Sequence, residues 1–244
     1  MSKIRVRKLD NSSSCKILSE GTYMYDPSKY FKDIKYSKYN GENVKVCIVG
    51  TGVPFHKDFG NIEEYVNFSQ ETTAEDKHGL SVQIGGIVGA NNPEDGVIGM
   101  AFSSSLYFAK ALDDRGLGDI NSLNASLLWS VVKNVDLVVI PFEFPEANSA
   151  LVATMKKVKD QNICVLNYGQ KARKAFKGVC STQKRKRYNI WTTSSGVGDY
   201  IKPSAKVANL GLSAAIMTII ISKLKKSKKG VALEKVYSEF ERII

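Results

Sequence analysis

VKVCIVGTGVPFHKDFG, residues 44–60, decides how this chain is read. It opens as a strand that is apolar on both faces, the composition of a central strand in a parallel sheet. Gly50, Thr51 and Gly52 then turn the chain sharply, and a polar loop follows. The carboxyl end of such a strand is where an α/β enzyme presents a catalytic side chain. Here that place is held by Gly50, which has no side chain to present.

Working outward, apolar runs alternate with segments of helical spacing. GLSVQIGGIVGA, residues 79–90, reads as a small-residue helix suited to close packing, NNPEDG as a loop, and SSLYFAKAL, residues 104–112, as a second strand. INSLNASLLWSVVKN, residues 120–134, spaces its apolar residues as a helix does, and VDLVVIPF follows as a third strand. NSALVATMKKVKDQ predicts a helix with Ala150, Val152 and Met155 inward, and ICVLNY a fourth strand. This alternation predicts an α/β fold with a parallel sheet and right-handed crossovers. Residues 1–40, rich in tyrosine and lysine and ending in the turn signal YNGEN, are read as a leader. Residues 41–244 are read as one domain, without internal repeat or dividing linker.

At 244 residues and 43% hydrophobic content the chain can fill a substantial core, which argues against disorder. Cys15, Cys47, Cys164 and Cys180 are scattered without metal-ligand spacing, and Cys47 and Cys164 lie inside apolar runs as small buried hydrophobes. Neither a disulfide framework nor a metal site is expected, and no cofactor. The N-terminal MSKIRVRKLDNSSSCK lacks the apolar core of a signal peptide, and LGLSAAIMTIIISKL, residues 210–224, is too short and interrupted to span a bilayer comfortably. A cytoplasmic protein with no membrane partner is therefore expected, or one carried in a virion if its origin is viral.

The net charge of +11 concentrates in QKARKAFK (residues 170–177), QKRKRY (183–188) and SKLKKSKKG (222–230). Such runs attract nucleic acid or an acidic protein through long-range fields and counterion release. No nucleic-acid-binding motif accompanies them, so a solvated surface is the plainer account.

Taken together, four segments resemble the subtilisin-like serine protease family over roughly residues 40–224. VKVCIVGTGVPFHKDF is similar to the family's first catalytic strand, which ends in Asp-Thr-Gly before a loop with His-Pro-Asp. HGLSVQIGGIVGANNPEDGVIGMAFSSSLYFAKALDDRGLGD resembles the stretch that opens with His-Gly-Thr and runs through a glycine-rich helix into Leu-Tyr-x-x-Lys-x-Leu. LLWSVVKNVDLVVIPFEFP and VCSTQKRKRYNIWTTSSGVGDYIKP resemble the next helix–strand pair and the strand and loop before the nucleophile segment. The resemblance implies a doubly wound α/β fold, a mainly parallel sheet with helices on both faces, and a peptide substrate lying across the carboxyl ends of the strands.

Activity does not follow from fold, so the catalytic places are read one by one. The chemistry requires a serine nucleophile, a histidine base, a carboxylate that orients the histidine, and an oxyanion donor. By the resemblance, Gly50 stands at the aspartate position and Asp58 falls in the part similar to His-Pro-Asp. His78 matches the catalytic histidine by the glycine that follows it, although Leu80 and Ser81 replace Thr-His. Gln170 falls at the oxyanion asparagine, its extra methylene displacing the amide. Val207 falls at the nucleophile serine, and Phe142 and Glu143 replace the small residues that line the peptide groove. Ser194, Ser195, Ser204 and Ser213 lack the nucleophile's motif. In subtilisin itself, the measured reference for such losses, removing the serine lowers turnover by about 10⁶ and removing the aspartate by about 10⁴.

The expectation is a degenerate member: an inactive protease scaffold that binds another protein through the old groove at Phe142 and Glu143 or through the basic residues Lys171, Arg173, Lys174, Arg185 and Arg187. The alternatives are an active serine endopeptidase with a non-standard site and a basic nucleic-acid-binding protein. The leader of residues 1–40 is too short for a signal plus a full prodomain, and is expected to pack on the body or bind a partner.

Overall fold

The computed structural model describes residues 3–5, 23–24, 38–94, 96–143, 146, 148–167, 179–181, 192–193, 200–201, 203–227 and 230–243. In chain order the elements begin with β1 (Lys3–Arg5), β2 (Tyr23–Met24), β3 (Lys45–Gly50) and β4 (Ile62–Asn67). There follow α1 (Leu80–Gly89), β5 (Val97–Ile98), β6 (Ser105–Lys110), β7 (Leu117–Asp119), α2 (Ile120–Val132) and β8 (Leu137–Ile140). The remainder comprises α3 (Ser149–Asp160), β9 (Cys164–Asn167), β10 (Val179–Ser181), β11 (Thr192–Thr193), β12 (Tyr200–Ile201), α4 (Ala205–Lys226) and α5 (Leu233–Ile243).

Among the described residues six strands form one sheet in the order β10-β9-β8-β3-β6-β4, and every neighbouring pair is parallel. The residue-44 strand is thus central, paired on one side with β6 and on the other with β8. Because successive side chains of a strand alternate between faces, β3 feeds two cores. Val46 and Ile48 pack with residues of α1, α4 and α5, whereas Cys47 and Val49 pack with residues of α2 and α3. Helices therefore cover both faces, as a doubly wound sheet requires.

Local sequence explains the ends of these elements. The Asp119 carboxylate accepts the N–H groups of Asn121 and Ser122 at the start of α2, and Asn148 Oδ1 accepts that of Leu151 at the start of α3, satisfying donors that a helix leaves orphaned. The predicted turn in YNGEN is present: Gly41 and Asn43 have φ of 88° and 62°, and Val44 N–H donates to Gly41 O at 3.1 Å. At Gly211 the close contact of α4 with α1 leaves no room for a side chain, since a Cβ there would lie 2.7 Å from Ile87 Cδ1.

Two local expectations are corrected. In α3 the inward residues are Leu151, Thr154, Met155 and Val158, while Ala150 is exposed and Val152 is 50% exposed. The i, i+3, i+4, i+7 set beginning at Leu151 faces inward, so Met155 is buried as expected whereas Ala150 and Val152 are not. The edge strand β4 was not foreseen, because IEEYVN is neither a continuous apolar run nor a regular alternation. Its charged positions suit a sheet edge that must not recruit another chain.

The helix α4 is long and apolar enough to cross a membrane by length and composition, yet 94% of its most apolar window is buried inside the fold. Two pieces of the 1–40 segment pair with strands of the body: β1 runs antiparallel to β7, and β2 parallel to β5.

Candidate functional site

The carboxyl edge of the sheet is built around the end of β3. A Cβ placed on Gly50 would lie 2.3 Å from Ser81 Oγ and 3.4 Å from Pro141 Cγ, so the space beside the strand is already filled by a hydroxyl. Thr51 N–H donates to Ser81 Oγ at 2.8 Å, and Ser81 N–H donates to Thr51 Oγ1 at 3.3 Å. The two hydroxyl oxygens are 3.4 Å apart, and both residues are fully buried. This reciprocal pair joins the strand end to the first turn of α1.

Asp76 completes the junction. Its Oδ1 accepts the Gly79 N–H and its Oδ2 accepts the Val82 N–H, each at 2.8 Å, and Thr51 also hydrogen-bonds to it. The carboxyl thus serves the amino end of α1, where a negative charge is favoured. Burial nevertheless pushes its pKa above the ordinary carboxylate range, outweighing those bonds and the charge of His78. A backbone bridge holds the same segment, with Val53 N–H on Ala74 O at 2.8 Å and Asp76 N–H on Val53 O at 3.0 Å.

His78 lies in the loop just before α1 and is buried. The atoms nearest the Gly50 position belong to Ser81 and Pro141, so the helix presents Ser81 to the strand end, three residues beyond His78.

Val207 sits in the first turn of α4 and is buried, its N–H donated to Ser204 Oγ at 3.4 Å. Phe142 was expected to line or block the groove. It is 2% exposed and packs in the α2–α3 core instead, because an apolar ring gains more from that core than from a wet edge. Its carbonyl is clamped by Asn167 Nδ2 at 2.7 Å, which also bonds Ile140 O. Glu143 is exposed. Gln170, Lys171, Arg173, Lys174, Arg185 and Arg187 lie outside the described residues.

Asp58 is structural in its contacts. Fully buried, it accepts Asn92 Nδ2 at 2.9 Å and Val97 N–H at 3.2 Å and stands 3.6 Å from His56 Nδ1, tying the turn after β3 to the loop before β5. Burial pushes the Cys47 thiol up to about 12, against a hydrogen bond from Ser130, which leaves it protonated and unreactive at neutral pH. Among the described residues no three His, Cys, Asp or Glu side chains gather as a group that could hold a metal ion.

One polar residue at this edge was missed entirely. Lys110, opposite Gly50 in the β3–β6 register, has no exposed surface, and its Nζ donates to Glu75 O at 2.6 Å and to Asp114 Oδ1 at 2.5 Å. In SLYFAKAL the lysine reads as a polar strand end, and nothing local announces that loops will close over it.

A central parallel sheet, a glycine turn at its carboxyl edge and a helix beginning just after His-Gly define a class already suggested by the segments. The subtilase family model matches residues 41–140. Among curated proteins, the chain is 25% identical over 219 residues to the minor extracellular protease Epr of Bacillus subtilis (strain 168), covering 82% of this chain and 33% of that one. It is 28% identical over 129 residues to subtilisin of Bacillus pumilus and 29% identical over 129 residues to subtilisin DY of Bacillus licheniformis. Each of these two alignments covers 52% of this chain and 47% of the relative. Residues 41–140 thus match the subtilisin-like (S8) family, and the curated proteins to which the chain is similar are proteases and subtilisins. The chain spans between 33% and 47% of the length of these relatives.

Proposed function

We propose that this chain is a catalytically silent subtilisin-like domain that serves as a binding or structural module for another protein. The observation that carries the reading is the filled space at Gly50. The family's orienting carboxylate would begin with a Cβ 2.3 Å from Ser81 Oγ, so it would enter only if that hydroxyl turned away from Thr51 N–H, and glycine supplies no carboxylate. A histidine base without that partner loses its fixed tautomer and the stabilisation of its imidazolium. The Thr51–Ser81 hydroxyl pair, locked to backbone N–H groups, holds the strand against the helix without any charge that must be compensated. Val207 in the first turn of α4 offers no hydroxyl in the place the resemblance gives to the nucleophile.

One consideration favours the other reading, an active hydrolase with an unconventional site: the relatives just described are named as proteases and subtilisins. A fluorophosphonate probe separates the two. Incubation of the intact chain is expected to give no labelling above that of the heat-denatured protein. Specific labelling that disappears in His78→Ala would overturn the silent-domain reading.

A further inference from the structure

Away from Gly50, the edge of β7 carries a second feature of the fold. This strand stands apart from the six-stranded sheet, and β1 lies along it in antiparallel register, Lys3 opposite Asp119, Ile4 opposite Gly118 and Arg5 opposite Leu117. Three residues make a short ladder, yet Ile4 is only 3% exposed, packed in the α2–α3 core with Ala111, Leu112, Ile120 and Leu123. Beside Ile4 a cavity of about 290 Å³ remains, lined in part by Ala111, Asp113, Leu117, Gly118 and Asp119. One aliphatic side chain therefore enters a recess larger than it fills.

Charge matches the pairing. Lys3 and Arg5 flank Ile4 in sequence, Arg5 is exposed, and Lys3 is the backbone register partner of Asp119. Asp113 also borders the cavity. Burial alone would raise its pKa, but the N–H groups of Leu117 and Arg115 and the Arg115 guanidinium outweigh that and hold the carboxyl below its ordinary range. Arg115 pairs with Asp113, while Asp119, in register with Lys3, accepts the N–H groups of Asn121 and Ser122 through Oδ1.

We infer that Lys3–Arg5 is a tethered, displaceable plug on the edge of β7, and that its departure opens this edge to a free extended peptide with an aliphatic residue between two basic ones. Strand addition of this kind draws affinity from main-chain hydrogen bonds and specificity from the pocket that takes the alternate side chain. A three-residue strand is marginal by itself. Its tether supplies an effective concentration on the order of millimolar, so the plug excludes weak ligands and yields to strong ones. The inference names a ligand class for the proposed binding module, and rests on that reading only in that the peptide leaves uncut.

The test uses the full chain, its Ile4→Asp variant, and a fluorescein-labelled synthetic peptide with the sequence of residues 1–8. A control peptide carries aspartate in place of the isoleucine. The labelled peptide is expected to bind Ile4→Asp roughly tenfold or more tightly than the unaltered chain, because the competing occupant no longer seats. The control peptide is expected to bind neither. Equal affinity for the two proteins, or equal affinity of the two peptides for Ile4→Asp, overturns the inference.

Hydrogen exchange on the unaltered chain guards against a variant that does not fold. Amides of residues 3–5 should exchange roughly a hundredfold faster than those of β3, and excess unlabelled peptide should protect residues 117–119. Equal protection of residues 3–5 and β3 would make β1 an integral strand and end the proposal. Mass spectrometry of the recovered peptide keeps the two readings apart: an intact peptide supports both, whereas a cut peptide refutes catalytic silence and leaves the docking edge standing.

Discussion

Gly50 and Lys110 face each other in register at the carboxyl ends of neighbouring strands, and both are buried, yet they have opposite chemistry. Gly50 presents nothing, and a neutral hydroxyl pair fills its space. Lys110 presents an ammonium at zero exposure, held by a carbonyl of the loop before α1 and by Asp114. A buried charge persists only where partners surround it. At Lys110 the partners fix the loop that carries Asp76 and His78 into α1. At Gly50 the Thr51–Ser81 hydroxyl pair occupies the space without a charge.

The sharpest way to break this comparison is to remove the buried ammonium. Lys110→Met keeps the stem but leaves Glu75 O without its donor and Asp114 without its shorter partner, and is expected to cost about 3–5 kcal/mol in urea unfolding. A small cost would mean that the loop is held by its backbone bridge to Val53 and not by the lysine.

Next in size is placing at Gly50 the aspartate that the resemblance assigns there. Gly50→Asp drives a Cβ into Ser81 Oγ and is expected to destabilise by about 1–3 kcal/mol, the usual cost of overpacking. Adding Ser81→Ala should recover part of that loss, and neither variant should gain fluorophosphonate labelling. Additive stabilities in this pair would refute the contact.

Asp76 supplies a test through pH. Its pKa is raised in the folded protein, so the folded state binds the proton more tightly than the unfolded chain does. Its contribution is full below the unfolded value of about 3.9 and is lost as pH rises through the raised folded value. Asp76→Asn should therefore flatten the decline in stability on the way to neutral pH, as read from denaturant midpoints at a series of pH values. An unchanged profile would mean that the carboxyl is not strained by burial.

The smallest effect belongs to Lys77, which approaches the same Asp114 carboxylate at 3.7 Å with its side chain 53% exposed. Lys77→Ala is expected to shift stability by no more than about 0.5 kcal/mol, since water screens the pair. Two lysines on one carboxylate, one buried and one wet, then give the cleanest measure of what burial does to an ion pair.

Much of the fold was legible because β3, β6, β8 and β9 are strongly apolar runs separated by segments of helical period, and those signals are local. Edge strand β4 was not legible, because its glutamates interrupt the pattern that reveals buried strands. At the site, Gly50 was legible as a position without a side chain. Ser81 as the atom filling the gap, Phe142 as a core ring and Lys110 as a closed-over cation were not, since each depends on which distant segment arrives beside it.

By itself, the order of residues determined the alternation of strands and helices and the glycine at the end of β3, because composition and period act within a few residues of chain. Only the tertiary structure decided that Ser81 meets Gly50 across 31 positions, as residues 50 and 81 of one chain, and that Ile4 seats beside Gly118. Long-range contacts of this kind are set by how sheet, helices and loops close upon one another, and no short window of sequence contains both partners.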